Sequence, residues 1–168
     1  MTPTPPGTRL EKITPENVGA ACALRVHPDQ ERFVAPVERS LAEAYAAGPG
    51  VAWPRLVSEE GEVVGFVMGG FAPDAEVEAF RCGIWRLNVS AAHQGRGYGR
   101  FAVEAVVEEA RRRGQKRITV LWLPGEGGPE GFYRGLGFRP TGELMGDQVL
   151  GEVFLDRSPF SAGERSHS

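Results

Sequence analysis

The sequence predicts a mixed α/β fold, a sheet with helices on its faces. Three observations carry that expectation. Strand-like and helix-like segments follow one another in the order β, α, α, three strands, α, β, α, β, β. Residues 97–113 read as a long amphipathic helix: Ala102, Val103, Val106, Val107 and Ala110 share one face, and Glu104, Glu108, Arg111 and Arg112 the opposite one. Ile118 to Leu123 is apolar throughout, as a strand covered on both sides would be.

Each element has a local reason. Leu10 to Ile13 is a short strand. Thr14-Pro15-Glu16 opens a first helix running to about Arg25, with Thr14 as cap, Pro15 at the first helical position and Glu16 at the positive end of the dipole. Pro36 to Ala47 is a second helix, ended by Gly48-Pro49-Gly50. Trp53 to Ser58, Val63 to Phe71 and Phe80 to Val89 are strands, and Glu59-Glu60-Gly61 turns the first into the second. Gly114 stops the long helix. Glu130 to Leu136 is a short helix ended by Gly137, and Phe138 to Leu144 with Val149 to Leu155 closes the sheet. The expectation is one domain over 8–156, with loose Pro-, Ser- and Gly-rich termini at 1–7 and 157–168.

Composition narrows the function classes. A chain of 168 residues is one domain's length and buries enough surface to need no metal or disulfide staple. A net charge of −3 argues against a nucleic-acid binder and leaves room for a cationic small molecule. Cys22 and Cys82 lie far apart and read as reduced thiols. No apolar run approaches the ~20 residues a membrane span needs, and Met1 to Gly7 lacks the regions of a signal peptide, so the cytoplasm is the expected compartment and no membrane partner is expected. His27, His93 and His167 lack paired ligand spacing, so no metal is expected.

The chemistry concentrates in Leu87-Asn88-Val89-Ser90-Ala91-Ala92-His93-Gln94-Gly95-Arg96-Gly97-Tyr98-Gly99-Arg100. A strand ends, a short loop follows, three glycines alternate, and the long helix begins. Helix starts expose unpaired N–H groups and a partial positive charge, and glycines let a phosphate come close. Arg96 and Arg100 add side-chain charge. A plain chain reversal is the bland alternative. A dinucleotide fingerprint needs Gly-x-Gly-x-x-Gly early in a βαβ unit, and a P-loop needs Gly-Lys-Ser/Thr; neither pattern is present.

Gln94-Gly95-Arg96-Gly97-Tyr98-Gly99 resembles the Gln/Arg-x-x-Gly-x-Gly/Ala signature of the GNAT acetyltransferases, and Phe132-Tyr133-Arg134-Gly135-Leu136-Gly137-Phe138 resembles their second hallmark, about 35 residues on. The resemblance covers most of the chain. It implies a central, mostly antiparallel twisted sheet of six to seven strands with about four helices. It also implies acetyl-CoA as co-substrate and a primary amine as acceptor. Residue by residue, the backbone of Leu87, Asn88 and Val89 would pair with the pantetheine arm, and Gln94, Gly95, Arg96, Gly97, Tyr98, Gly99 and Arg100 would hold the diphosphate. The Val89 N–H would stabilise the oxyanion, and Tyr133, beside Phe132, would protonate the departing thiolate. The family often carries Asn seven positions before that tyrosine; here the position is Glu126, whose carboxylate would repel phosphates if it faced them.

The acceptor must be neutral to attack, so a base or a water chain must take a proton. The nearest acidic candidates are Asp74, Glu76 and Glu78. Asp29-Gln30-Glu31-Arg32-Phe33-Val34-Ala35-Pro36, with Ile84-Trp85-Arg86-Leu87, looks like the bacterial diamine and spermidine N-acetyltransferase branch. Glu31, Glu38 and Glu43 could then pair with a polyamine's charges, and Phe33 and Trp85 could wall its alkyl stem. Two other readings stay open. One is an acyl-CoA-binding sensor without turnover. The other is a transferase acting on a protein N-terminus, a lysine or an antibiotic amine. A homodimer through the strands after Phe138 is an expectation of the resemblance.

Overall fold

The computed structural model describes residues 3–156; the tail expected from 157 onward, with Met1 and Thr2, lies outside them. The element order is β1 (Thr8–Glu11), α1 (Val18–Ala23), α2 (Val37–Ala46), β2 (Ala52–Glu59), β3 (Glu62–Phe71), β4 (Cys82–Val89), α3 (Tyr98–Arg112), β5 (Arg117–Trp122), α4 (Glu130–Gly135), β6 (Arg139–Met145) and β7 (Gln148–Phe154). Seven strands form one sheet in the order β1-β2-β3-β4-β5-β7-β6, with β4 and β5 its one parallel pair. The expected mixed, mostly antiparallel sheet is therefore what the residues build.

α3 buries the predicted face: Ala102, Val103, Val106, Val107 and Ala110 are each at most 2% exposed. Each valine so buried contributes roughly 1.5–3 kcal/mol. They join Val64, Val67, Ile118, Trp122 and Phe138 in the core on one face of the sheet. A second core on the other face packs Ala21 and Leu24 of the α1 region and Val37 of α2 against Leu56, Phe66 and Met68. The turn Glu60-Gly61 has φ of 50° and 85°, the two left-handed residues a tight hairpin requires.

The first helix starts later than the sequence suggests. The Thr14 N–H donates to Asn17 Oδ1 (2.8 Å), and the Asn17 N–H donates to the Thr14 carbonyl (3.2 Å). The Val18 N–H also donates to the Thr14 carbonyl (2.9 Å), so residues 14–17 form a turn anchored at Thr14, with the Asn17 side chain in the reach-back position of a capping box, and α1 proper begins at Val18. β4 likewise begins at Cys82, because Glu78–Phe80 form a single 3₁₀ turn. No helix among the described residues is long and apolar enough to cross a membrane.

Candidate active site

β4 and β5 touch only at Gly83–Thr119 and Ile84–Val120. A Cβ on Gly83 would sit 2.8 Å from Thr119 Oγ1 and 2.9 Å from the Thr119 carbonyl oxygen, so glycine permits this close approach. Beyond it the strands diverge and Leu87–Val89 have no neighbour on the β5 side. On the β3 side the Ser90 N–H donates to the Val64 carbonyl (2.9 Å). Antiparallel alternation then makes Asn88/Phe66 a hydrogen-bonded pair and turns the Leu87 and Val89 amides toward the open edge.

A cleft of about 1010 Å³ lies along this opening, walled by β4, the start of α3, α4 and the segment before α2. At one end the chain enters α3. Gly95 (φ 77°) and Gly97 (φ 90°) hold left-handed conformations, with Gly97 at the N-cap. Gln94, Gly95, Gly97, Tyr98, Gly99 and Arg100 line the cleft. The Tyr98 ring is buried and its hydroxyl donates to the Glu59 carboxylate; burial first, and Glu59 second, push its pKa to about 12. Gln94 and Gln30 exchange two side-chain hydrogen bonds of 3.1 and 2.5 Å across the cleft. Arg32 donates to the Glu126 carbonyl (3.0 Å) and lies over the Phe33 ring (4.2 Å). These contacts strap the loop before α2 to both lips.

Tyr133 of α4 forms part of the cleft wall. Its ring stacks on Trp122 (5.9 Å between centroids) and meets Phe132 and Phe138 edge-on. Its hydroxyl makes no hydrogen bond with any described residue, and burial drives its pKa above the ordinary phenol range. The phenol therefore keeps its proton across the neutral range.

The opposite end of the cleft continues into a cavity of about 270 Å³ between Phe80, Trp85, Thr119 and Gln148. Arg86 lines both spaces. Its Nη2 donates to Glu43 Oε2 (2.5 Å) and its Nη1 to the Trp85 carbonyl (2.8 Å). Arg39 Nε donates to the other Glu43 oxygen (3.1 Å).

Most expected site residues converge on this cleft: Leu87, Val89, Gln94, Gly95, Gly97, Tyr98, Gly99, Arg100, Phe132, Tyr133, Glu31, Phe33 and Trp85 all line it. Three do not. Asn88 is buried on the other side of β4, where its Nδ2 donates to the Ala35 carbonyl (3.0 Å). Arg96 is exposed outside the cleft lining, and its charge only partly offsets the rise in the Tyr98 pKa. The Glu126 side chain is exposed outside the cleft, and only its carbonyl is engaged. The acidic residues near β4 are likewise elsewhere. Asp74 and Glu76 are exposed, and Glu78 lies 3.7 Å from Arg117. Glu38 faces solvent, and Glu43 is held between two arginines. Sequence reasoning missed Arg39, Arg86, Gln30 and Gln148. Arg86 lies within a segment that drew attention, but its partner Glu43 is 43 positions away and no local signal links them.

Residues 22–138 match the model of the acetyltransferase (GNAT) family. The chain belongs to that family and is an acetyl-CoA-dependent N-acetyltransferase. Among curated proteins it is similar to the L-2,4-diaminobutyric acid acetyltransferase of Wolinella succinogenes, 27% identical over 120 residues that make up 64% of this chain and 68% of that protein. Its fold is similar to the PaiA N-acetyltransferase of Thermoplasma acidophilum in complex with coenzyme A. That match has a TM-score of 0.65 and 11% identity over 88% of this chain and 98% of the other. It is also similar to YncA of Salmonella typhimurium with its cofactor acetyl-CoA (TM-score 0.62, 19% identity, 90% of this chain and 95% of the other).

Proposed function

We propose that the chain transfers the acetyl group of acetyl-CoA directly to a primary amine in the cytoplasm, with Tyr133 as general acid and the Val89 N–H as oxyanion donor. The observation that carries this is the presence, in one cleft, of an open-edge amide at Val89 and a protonated phenol at Tyr133 that has no partner among the described residues. The amides of Gln94 to Gly99, with Arg100, would hold the diphosphate, as the two left-handed glycines and the helix start favour.

In the transfer, the amine nitrogen attacks the thioester carbon. Negative charge develops on the oxygen, where the Val89 N–H stabilises it. The C–S bond breaks, and the thiolate takes the Tyr133 proton. The proton released by the amine nitrogen returns to Tyr133 through water. Burial disfavours the phenolate, so the proton stays until charge builds at the sulfur.

The matched diaminobutyric acid acetyltransferase supports a small diamine-type acceptor. A polyamine would rest on Glu31, Phe33 and Trp85 in the cleft wall. Glu31 is the one carboxylate there, beside Arg32, Arg39, Arg86 and Arg100.

Tyr133→Phe tests the mechanism. It should lower kcat by roughly 10²–10⁴, the range of a lost general acid, while acetyl-CoA affinity stays within about twofold. The hydroxyl has no partner among the described residues, so stability should hold within about 0.5 kcal/mol. An unchanged kcat would remove Tyr133 from the reaction.

A further inference from the structure

We propose, resting on the transferase reading above, that the acceptor carries a carboxylate as well as its amine, and that the Arg86 guanidinium holds that carboxylate with Glu43 as its positioning residue. The charges of the cleft point this way. Arg100 is at the diphosphate end and paired with Glu104 at 2.8 Å. Arg32 is spent on the Glu126 carbonyl and the Phe33 ring. At the acceptor end Arg39 and Arg86 share one carboxylate, Glu43, so this corner keeps an excess positive charge. A polycation entering here meets like charge; an anion meets its complement.

Arg86 is also under-used. A guanidinium has five N–H donors in a planar fork suited to carboxylates. Two are taken, by Glu43 and by the Trp85 carbonyl. The remainder have no partner among the described residues, and Nε is one of these, sealed from solvent and unsatisfied. Nε is closed to an incoming group, so the second N–H groups of Nη1 and Nη2 are the donors left to receive one. The side chain stays 25% exposed, enough for an incoming group to reach the fork. Glu43 grips one corner of the fork and α2 fixes Glu43, so the guanidinium plane is set before the acceptor arrives. Around it, Phe80, Ile84 and Trp85 offer apolar surface for a short methylene chain, and Gln148 of β7 offers an amide.

The test uses the whole protein and matched acceptors that differ only in the carboxylate: ornithine against putrescine, and lysine against cadaverine, with acetyl-CoA and free-thiol release as readout. The acid of each pair should have the higher kcat/KM, by about tenfold or more, as a charge-assisted contact would give. In Arg86→Gln the ratio within each pair should fall to about twofold or less, mainly through KM, and Arg86→Lys should recover part of it. Circular dichroism establishes that each variant folds; the wild-type ratio stands even if one does not. Equal or better turnover of the decarboxylated partner, or a ratio that survives Arg86→Gln, overturns the proposal while leaving the transferase intact. No thiol release with any amine, despite acetyl-CoA binding by calorimetry, overturns the transferase reading and this inference with it.

Discussion

Gly70→Ala should damage the acceptor side and spare the coenzyme side. Gly70 is in β3, opposite Gly83 of β4, and the Trp85 indole lies directly on it. A Cβ there would fall 1.8 Å from Trp85 Cε2 and 2.1 Å from Nε1. Non-bonded heavy atoms sit at about 3.5–4.0 Å, so the indole must retreat by roughly 2 Å. Trp85 is only half-buried and lines the cleft, so it has space to move into. Overpacking of this kind costs typically about 1–3 kcal/mol, and the alanine returns about 0.4–1 kcal/mol by restricting the unfolded chain. The net loss is therefore about 0–2.5 kcal/mol, readable by denaturant unfolding. The displaced ring should fill acceptor space and raise acceptor KM by about tenfold, while calorimetry with acetyl-CoA gives the wild-type affinity. A double-mutant cycle sharpens the test. In a Trp85→Ala background the clash is gone, so Gly70→Ala should cost almost nothing. Weakened acetyl-CoA binding with unchanged acceptor kinetics would refute this division of the two faces.

Two further perturbations probe other parts of the cleft. Gly99 is in the first turn of α3, and a Cβ there would lie 3.1 Å from the Phe132 ring; Phe132 is 37% exposed and can yield. Gly99→Ala should gain up to about 1 kcal/mol of helix propensity against that crowding, leaving stability within about 1 kcal/mol, yet raise the acetyl-CoA dissociation constant several-fold by narrowing the gap between α3 and α4. Alkali should unfold the protein in a definite window. Burial holds Cys82 at about 12, above its ordinary 9.0, and Tyr98 is held at about 12 against 10.0. Both pKa values are raised in the folded state. Their stabilising contribution is therefore complete below pH 9 and is lost as pH rises through 12. Unfolding free energy measured along that range should fall, and Cys82→Ala should flatten part of the slope; a flat profile to pH 12 would contradict the burial of both groups.

The legible parts of the sequence were those governed by short-range regularities. The face of α3 followed from a 3.6-residue period, and the covered strand β5 from an unbroken apolar run. The alternating glycines before α3 do hold left-handed conformations at Gly95 and Gly97. What stayed hidden was set by partners distant in the chain. The Asn88 amide is committed to Ala35, 53 positions away, so a residue that reads as site-facing is structural. Glu43, which reads as a cation trap, is neutralised by Arg39 one turn earlier and by Arg86 of β4 beneath α2. The start of α1 is held by the Asn17 side chain reaching back to the Thr14 N–H, a contact that propensity alone does not show.

The least legible feature is also the one that builds the site. Along β4, Ile84 pairs with Gly69 and Arg86 with Met68, so Trp85 is an extra residue opposite no partner. This is a β-bulge, and it shifts the alternation of side chains by one position. Ile84 packs with the α3 core, and Trp85 with the α2 core. Arg86 reaches Glu43 on α2, and Leu87 and Val89 return to the α3 side. Two consecutive residues, Trp85 and Arg86, thus share the α2 face, where a regular strand would offer only one of them. The same slip sends Leu87 and Val89 to the α3 side with their amides on the open edge. A regular strand from Ile84 would instead place Arg86 and Asn88 there, setting a cation and an amide against the α3 core. One inserted residue therefore separates a polar corner at Arg86 from an apolar wall at Leu87 and Val89 on a single strand. In the sequence the insertion leaves only the apolar doublet Ile84-Trp85 ahead of the alternating Arg86-Leu87-Asn88-Val89, too short a break to reveal a bulge.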